Sequence, residues 1–360
     1  MNMPVFFIRD PPLFPSLIHA MKRNPVTHLK DADAFWDFMS LRPETTHLLL
    51  MLFSARGIPL NFRQMHGYGV HAFKLINKNG NVFYCKFHIK TNQGVKNLTP
   101  EDAEKQIIAD PDNATHDLYN AIGDKQLPVW TVYMQVMSEE DAYSITKYNP
   151  FDPTKVWPHK EFPLIQVGKL TLNRNPKNYF SEVEQMAFSP AHLVPGIEPS
   201  PDLLLQGRMF AYSDAHRYRL GVNYLQIPVN TSPALKIKHY MRDGLMSGEN
   251  QEGAPNYHPN SFNGPVEKPG LVESNIFIPE TEAQRFLSET DSDFIQAKVF
   301  YSSVLSDEGR NVLVWNIAES LKKAHANIQE QALKNFTRVD AGLARKVEER
   351  LSYYKNTCEA

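Results

Sequence analysis

Four residues on one stretch of the chain have the types and spacing to do chemistry together: Arg208, Tyr212, His216 and Arg219. On a helix they fall along one face. A guanidinium one turn from a phenol hydrogen-bonds its oxygen and favours the phenolate. A phenolate is a hard anionic ligand suited to ferric iron. A second cation two turns along is placed to pair with a carboxylate of the same cofactor. The alternative is a solvated charged helix with Tyr212 in a core, and periodicity alone leaves both open.

Other arrangements are quickly set aside. Gly67-Tyr68-Gly69-Val70-His71-Ala72 fits the G-x-G-x-x-A dinucleotide pattern. That reading needs a strand before, a helix after and an acid about 20 residues on. Phe73-Lys74-Leu75-Ile76 reads as strand instead, and the residues near 90 are basic. The 13 histidines form no H-E-x-x-H, which excludes a zinc hydrolase of that type.

Whatever positions these groups is built from 360 residues, enough to bury a sizeable core. Thirty-eight basic against 40 acidic side chains are too balanced to favour nucleic acid or acidic lipid as a partner. The longest apolar run, Leu48–Phe53, is far short of a membrane span, and no secretory signal opens the chain. Cys85 and Cys358 lie too far apart in sequence to suggest a disulfide framework, so a reducing compartment fits. The 26 prolines predict long ordered loops that wrap over a surface.

Pro4–Ile8 reads as a strand. Residues 31–53 read as helical, with Asp31 as a cap and aromatics at Phe35, Trp36 and Phe38. Runs 70–76 and 82–89 flank Asn79-Gly80 and predict a hairpin. Helix is expected over 100–122 from a Thr99 cap, strands over 129–137 and 164–172, and helix near 200–220. Amphipathic spacing predicts helices over 294–335 and 340–355. The organisation is α+β: a sheet region over 1–172 with helical insertions, a wrapping segment over 173–291, and a helical domain over 292–360.

The stretch Arg208-Met209-Phe210-Ala211-Tyr212-Ser213-Asp214-Ala215-His216 resembles the proximal haem-ligand signature of the monofunctional haem catalases. So do Pro4–Pro15, Lys22–Lys30, Phe35–Pro43, Phe53–Pro59, Asn149–Lys160, Leu172–Phe180, Gly253–Phe262 and Lys334–Thr337, in the family's order. The resemblance covers essentially the whole chain and is closest to the NADPH-binding, small-subunit type. It implies a catalase-like antiparallel β-barrel, a homotetramer, and conversion of hydrogen peroxide to water and oxygen. Tyrosine ligation of haem is the known arrangement in catalase itself. The resemblance makes Tyr212 the axial ligand, held by Arg208, with Arg219 on a haem propionate and His216 beside the haem. Phe6, Phe7 and Phe14 match positions lining the distal pocket. His47, Ser54, Arg56, Tyr68, Lys90, Trp157 and His159 match the NADPH site, where Met51 and His66 depart from the usual aromatic and asparagine.

The resemblance also implies a late start. The family's distal histidine block and about half of its barrel lie upstream of the Pro4–Ile8 match. Met1 stands where the catalytic distal asparagine is expected, and Asn2 is only an outside candidate for its role. Three readings follow: a catalase of reduced activity, an inactive haem- or NADPH-binding remnant, or an incomplete version of an ordinary catalase. Val5–Ile8 is then expected at an exposed sheet edge. The family is mostly peroxisomal in eukaryotes. The C-terminus is not S-K-L-like, which leaves the cytoplasm as the alternative.

Overall fold

The computed structural model describes residues 2–232, 239–266, 274 and 292–358. Within the wrapping segment, 233–238, 267–273 and 275–291 lie outside the described residues. The centre of the fold is an antiparallel sheet of six strands. These are β1 (Gly67–Tyr68), β2 (Phe73–Ile76), β3 (Val82–Thr91), β4 (Val129–Ser138), β5 (Ile165–Thr171) and β6 (Ile197–Pro199). They run in the order β5-β4-β3-β2-β6, with β1 paired to β3. The expected hairpin is present: Phe73 faces Cys85 and Ile76 faces Val82, and Gly80 turns the chain at φ +81°. Only glycine adopts that angle freely. Among the described residues the sheet ends at β5 and β6, so the barrel is open, as expected.

Helices flank the sheet. The first three are α1 (Phe14–Met21), α2 (Ala32–Leu41) and α3 (Thr46–Phe53). Asp31 caps α2 by accepting from the Ala34 amide. The helix expected over 100–122 is two: α4 (Pro100–Ala109), capped by Thr99, and α5 (Asn113–Gly123). The break falls at Asp110–Asp112, because Pro111 cannot continue an α-helix and restricts the residue before it. A short α6 (Glu139–Ser144) follows β4, and α7 (Leu203–Leu220) lies inside the wrapping segment. The C-terminal bundle is α8 (Ser292–Val299), α9 (Asp307–Leu321), α10 (Ala326–Val339) and α11 (Ala341–Cys358).

Pro4–Ile8 is not a strand and lies on no sheet edge. Val5 and Ile8 are fully buried, and the Phe6 amide donates to the Pro153 carbonyl. The segment is extended, which its composition signalled, but it threads through a core instead of joining a ladder. That core joins Met3, Val5, Ile8, Leu17 and Trp36 to Phe294, Leu313, Phe336 and Leu351. It therefore runs across the boundary drawn at residue 292. Outside α7, the described part of the wrapping segment is mostly irregular. It has a small core of its own at Ala187, Tyr224 and Ile227, so it is ordered against protein.

A buried ionic cluster ties three of these regions together. Arg9 donates through Nη1 to Asp152 Oδ2 (3.1 Å) and Asp293 Oδ1 (2.7 Å), and through Nη2 to Asp293 Oδ2 (3.1 Å). Lys155 Nζ donates to Asp293 Oδ1 at 2.8 Å. None of the four side chains is more than 6% exposed.

Candidate active site

The helix α7 is positioned at its start by Asp202, whose Oδ1 accepts from the Leu204 and Leu205 amides at 2.9 and 3.1 Å. The other oxygen, Oδ2, lies 2.6 Å from His71 Nδ1. Both oxygens of Asp202 are engaged, one by two helix amides and the other by the His71 ring. One buried acid thus caps the helix and fixes the orientation of a ring on the opposite wall. The helix ends at Gly221, φ +106°.

Alongside α7 lies a cavity of about 840 Å³. One wall is aromatic: Phe6 and Phe14 stack with ring centres 6.5 Å apart and planes 19° apart. The cavity is also lined by α7, where Gly207, Ala211 and Ala215 recur every fourth residue and leave a strip of small residues beside Arg208 and Tyr212. Arg208 Nη2 donates to Tyr212 Oη at 2.6 Å, the contact the spacing predicted. All seven haem-site candidates line this one cavity: Phe6, Phe7, Phe14, Arg208, Tyr212, His216 and Arg219.

Two of them have additional work. His216 donates from Nε2 to the Phe188 carbonyl at 2.7 Å and accepts at Nδ1 from Arg219 Nη2 at 3.2 Å. Arg219 also donates to the carbonyls of Glu184 and Met186, at 2.8 and 2.9 Å. In this structure its guanidinium stitches α7 to the 184–188 loop, a role its spacing on the helix did not show. His71 was missed from sequence. Its signal was Val70-His71 directly after a strand, and only the fold brings it to Asp202, 131 residues away.

Gly207 sits where a Cβ would come within 2.9 Å of Pro11 Cβ. Gly207→Ala gains about 1 kcal/mol of helix propensity. It also pushes α7 away from the wall that carries Phe14, an overpacking that costs roughly 1–3 kcal/mol. The expected result is a net loss in urea unfolding together with weaker haem retention. A net gain in stability at unchanged haem affinity contradicts this packing.

Several of the dinucleotide candidates lie around β1 and β3. Lys90 Nζ donates to Tyr68 Oη at 3.0 Å and also lies over the Tyr68 ring. Burial, with Lys90 and Arg56 nearby, pushes His66 down to about 4. His159 stacks edge-on to His88, with ring centres 5.8 Å apart. His47 is buried with Nδ1 3.3 Å from the Thr154 carbonyl, and burial and Lys155 push it down to about 4. Its ring meets Phe300, which sequence reasoning missed because the contact spans 253 positions. Ser54 caps a turn, with Oγ donating to Met51 O and accepting from Arg56 N, so its hydroxyl is already engaged. Trp157 is buried, and its indole donates to Pro150 O. Tyr68 also lines the large cavity, so it forms a wall common to both regions. The departures fall differently: Met51 is buried on α3, whereas His66 is in the cluster. The G-x-G-x-x-A stretch forms β1 and then passes into β2 with no helix between them.

A wrapping segment carries the helix with Tyr212 and Arg208, alongside an antiparallel sheet and a helical bundle. Residues 1–264 match the Catalase family, and 288–351 match the family described as Catalase-related immune-responsive. The chain is 55% identical over 359 residues to the catalase of Drosophila melanogaster, covering 99% of this chain and 71% of that one. It is 53% identical to the catalase of Rattus norvegicus, covering 99% and 67%. Among solved structures, a fungal catalase and catalase A from Saccharomyces cerevisiae each superpose with a TM-score of 0.92 at 43% identity. Each match covers 97% of this chain, with 72% and 73% of theirs. The chain belongs to the catalase family, whose cofactor is haem and whose reaction converts two hydrogen peroxide molecules to two waters and one dioxygen. Among the described residues no helix is long and apolar enough to cross a membrane.

Proposed function

We infer that the cavity binds ferric haem with Tyr212 as the iron ligand, for peroxide disproportionation. The observation that carries this is the 2.6 Å Arg208–Tyr212 contact in a slot with aromatic and small-residue walls. The slot suits a flat, largely apolar macrocycle. Arg208 provides the positive partner that a ligating phenolate oxygen requires. Haem bound there would supply the redox-active iron, and Phe6 and Phe14 of the cavity lining would help to hold it and exclude water. Arg219 is within the same cavity to meet a propionate once it releases the 184 and 186 carbonyls.

The basic group on the sheet supports NADPH as a second ligand. Arg56, His66, Lys90 and His159 are grouped there, and the charges acting on both His66 and His159 are basic. Such a cluster suits a phosphorylated dinucleotide. Met51 and His66 alter the usual contacts without removing the charges. The homotetramer and a peroxisomal location, with the cytoplasm as the alternative, rest on the family resemblance alone.

Peroxide chemistry also needs a group that accepts and returns a proton. Of the two histidines that line the cavity, His216 is engaged through both ring nitrogens, and His71 is held at Nδ1 by Asp202, which leaves its Nε2 as the ring nitrogen to consider for a proton. Asn2 donates to the Arg56 carbonyl. The 360-residue chain reconstituted with haem is therefore expected to bind it at one per chain. Its oxygen evolution should run about 10²–10⁴-fold below that of an intact relative. Failure to take up haem rejects the site. Turnover within about tenfold of an intact catalase would show that another group here carries the proton.

A further inference from the structure

His88 lies on β3 with 7% of its surface exposed, and its protonation can be read from its neighbours. On β4, Gln135 donates through Nε2 to the carbonyls of Trp157 (3.1 Å) and Phe162 (2.6 Å). Both amide hydrogens are thereby used, so the atom facing His88 is the amide oxygen, 2.8 Å from Nε2. Nε2 must carry the ring hydrogen, and Nδ1 is left as a bare lone pair. That atom is buried and has no hydrogen-bond partner. A buried acceptor left unpaired is costly, and it calls for an explanation such as a water, an ion or a ligand.

The surroundings say which of these fits. Tyr68 is the cross-strand partner of His88, with its ring centre 5.6 Å away, and His159 lies 5.8 Å away on the other side. Lys86 and Lys90 share its face of β3 at two residues either side. The charged groups acting on His88 are Lys90, His159 and Lys86, all basic. Burial first, and then these charges, push it down to about 4, so the ring is neutral near pH 7. An anion beside Nδ1 reverses the balance, because an imidazolium Nδ1–H is a charge-assisted donor to a phosphate oxygen.

His66 does not share this property. Its Nδ1 accepts the Thr91 amide hydrogen at 3.1 Å, so its lone pair is occupied and a proton there would break that bond. His88 Nδ1, by contrast, is a buried ring nitrogen with no hydrogen-bond partner.

We propose that binding of a phosphorylated dinucleotide takes up one proton from solvent at His88 Nδ1, so that affinity rises as pH falls. This rests on the NADPH reading above. The proton goes onto a lone pair, no covalent bond of the ligand changes, and no oxidant or reductant is involved. His88 becomes an additional phosphate-binding residue, and the site becomes a reporter of local pH.

The test is calorimetric titration of NADPH into the full, haem-loaded chain at pH 6 and pH 8. Each titration is repeated in two buffers of different ionisation heat, which gives the number of protons taken up. Uptake is expected to approach one at pH 6 and to vanish by pH 8. In His88→Gln it should be absent at both. The ratio of native to variant affinity, which cancels titration of the ligand itself, should rise by up to tenfold per pH unit on acidification, the limit for one proton. NADPH binding without proton uptake by the native chain overturns the proposal, whether or not the variant folds. Equal uptake in native and His88→Gln moves the linkage elsewhere, with His159 the first alternative, and overturns it too. Absence of NADPH binding at every pH defeats the dinucleotide reading itself and this inference with it.

Discussion

Tyr212→Phe is expected to abolish the tyrosinate-type ferric haem spectrum of the haem-loaded chain. The substitution removes one oxygen and nothing else from the cavity wall. That oxygen is the acceptor of the Arg208 hydrogen bond, and on the ligation reading it is also the atom that meets iron. Its loss leaves Arg208 stacked against the ring with a guanidinium and no anion to pair with. Haem that still enters the slot is then held by the aromatic wall alone. The absorption bands that arise from phenolate-to-iron charge transfer should disappear, and haem should dissociate more readily. The fold should be little affected. The phenol is only half-buried, and one hydrogen bond of this kind contributes about 1 kcal/mol. The measurement is an absorption spectrum after haem titration, with urea unfolding of the haem-free chain as the control. An unchanged spectrum in the variant removes Tyr212 from the iron and returns it to the role of a core aromatic.

The second large effect lies away from the cavity. Asp293→Asn is expected to destabilise the chain by about 3–5 kcal/mol, because it leaves buried cations short of a counter-charge. Native Asp293 faces both Arg9 and Lys155. Burial works against its ionisation, but the Arg9 hydrogen bond and the Lys155 charge outweigh it and hold the carboxyl below its usual range. The linkage follows from that direction. A carboxyl with a depressed folded value adds stability above its unfolded value of about 3.9 and loses it as pH falls through the folded value. Glu44 works in the opposite sense. Burial raises it, despite Arg42 and Arg9 nearby, so its ionisation costs stability as pH rises above its unfolded value. The double variant Asp293→Asn with Lys155→Met restores the balance of one cation and one anion. It should be more stable than Asp293→Asn alone, the non-additivity expected within one network. Urea midpoints for the three chains check this. A cost below about 1 kcal/mol for Asp293→Asn would mean that the cluster is held by packing and not by charge.

How much of this could be read from the residues alone depended on range. The Arg208–Tyr212 contact is one helical turn long, so spacing was enough to place it. The caps at Asp31 and Thr99 and the Gly80 turn are also local and were legible for the same reason. Pro111 was a legible break that the even run of helix formers obscured. Val5–Ile8 shows where local reading stops. An extended segment buried in a core and a strand buried in a sheet have the same composition, and only the Pro153 carbonyl, far along the chain, decides between them. The cation–carboxylate cluster has no local signature at all, since Arg9 and Asp293 are 284 positions apart. The open nitrogen of His88 was equally invisible. It follows from the orientation of Gln135, and that is set by two carbonyls on a loop that returns over the sheet.

The distance between Arg9 and Asp293 also acts in time. On a ribosome adding about 5–20 residues per second, Asp293 emerges roughly 15–60 seconds after Arg9. For that interval Val5, Ile8 and Trp36 have been synthesised while Phe294, Leu313 and Phe336, which bury them, have not. The nascent chain holds that apolar surface open for tens of seconds, in a cell where such surfaces find other partners. Contacts this distant in sequence also make folding intrinsically slow. The core that joins Val5, Ile8 and Trp36 to Phe294, Leu313 and Phe336 therefore closes late in synthesis, long after the earlier of its two halves has been made.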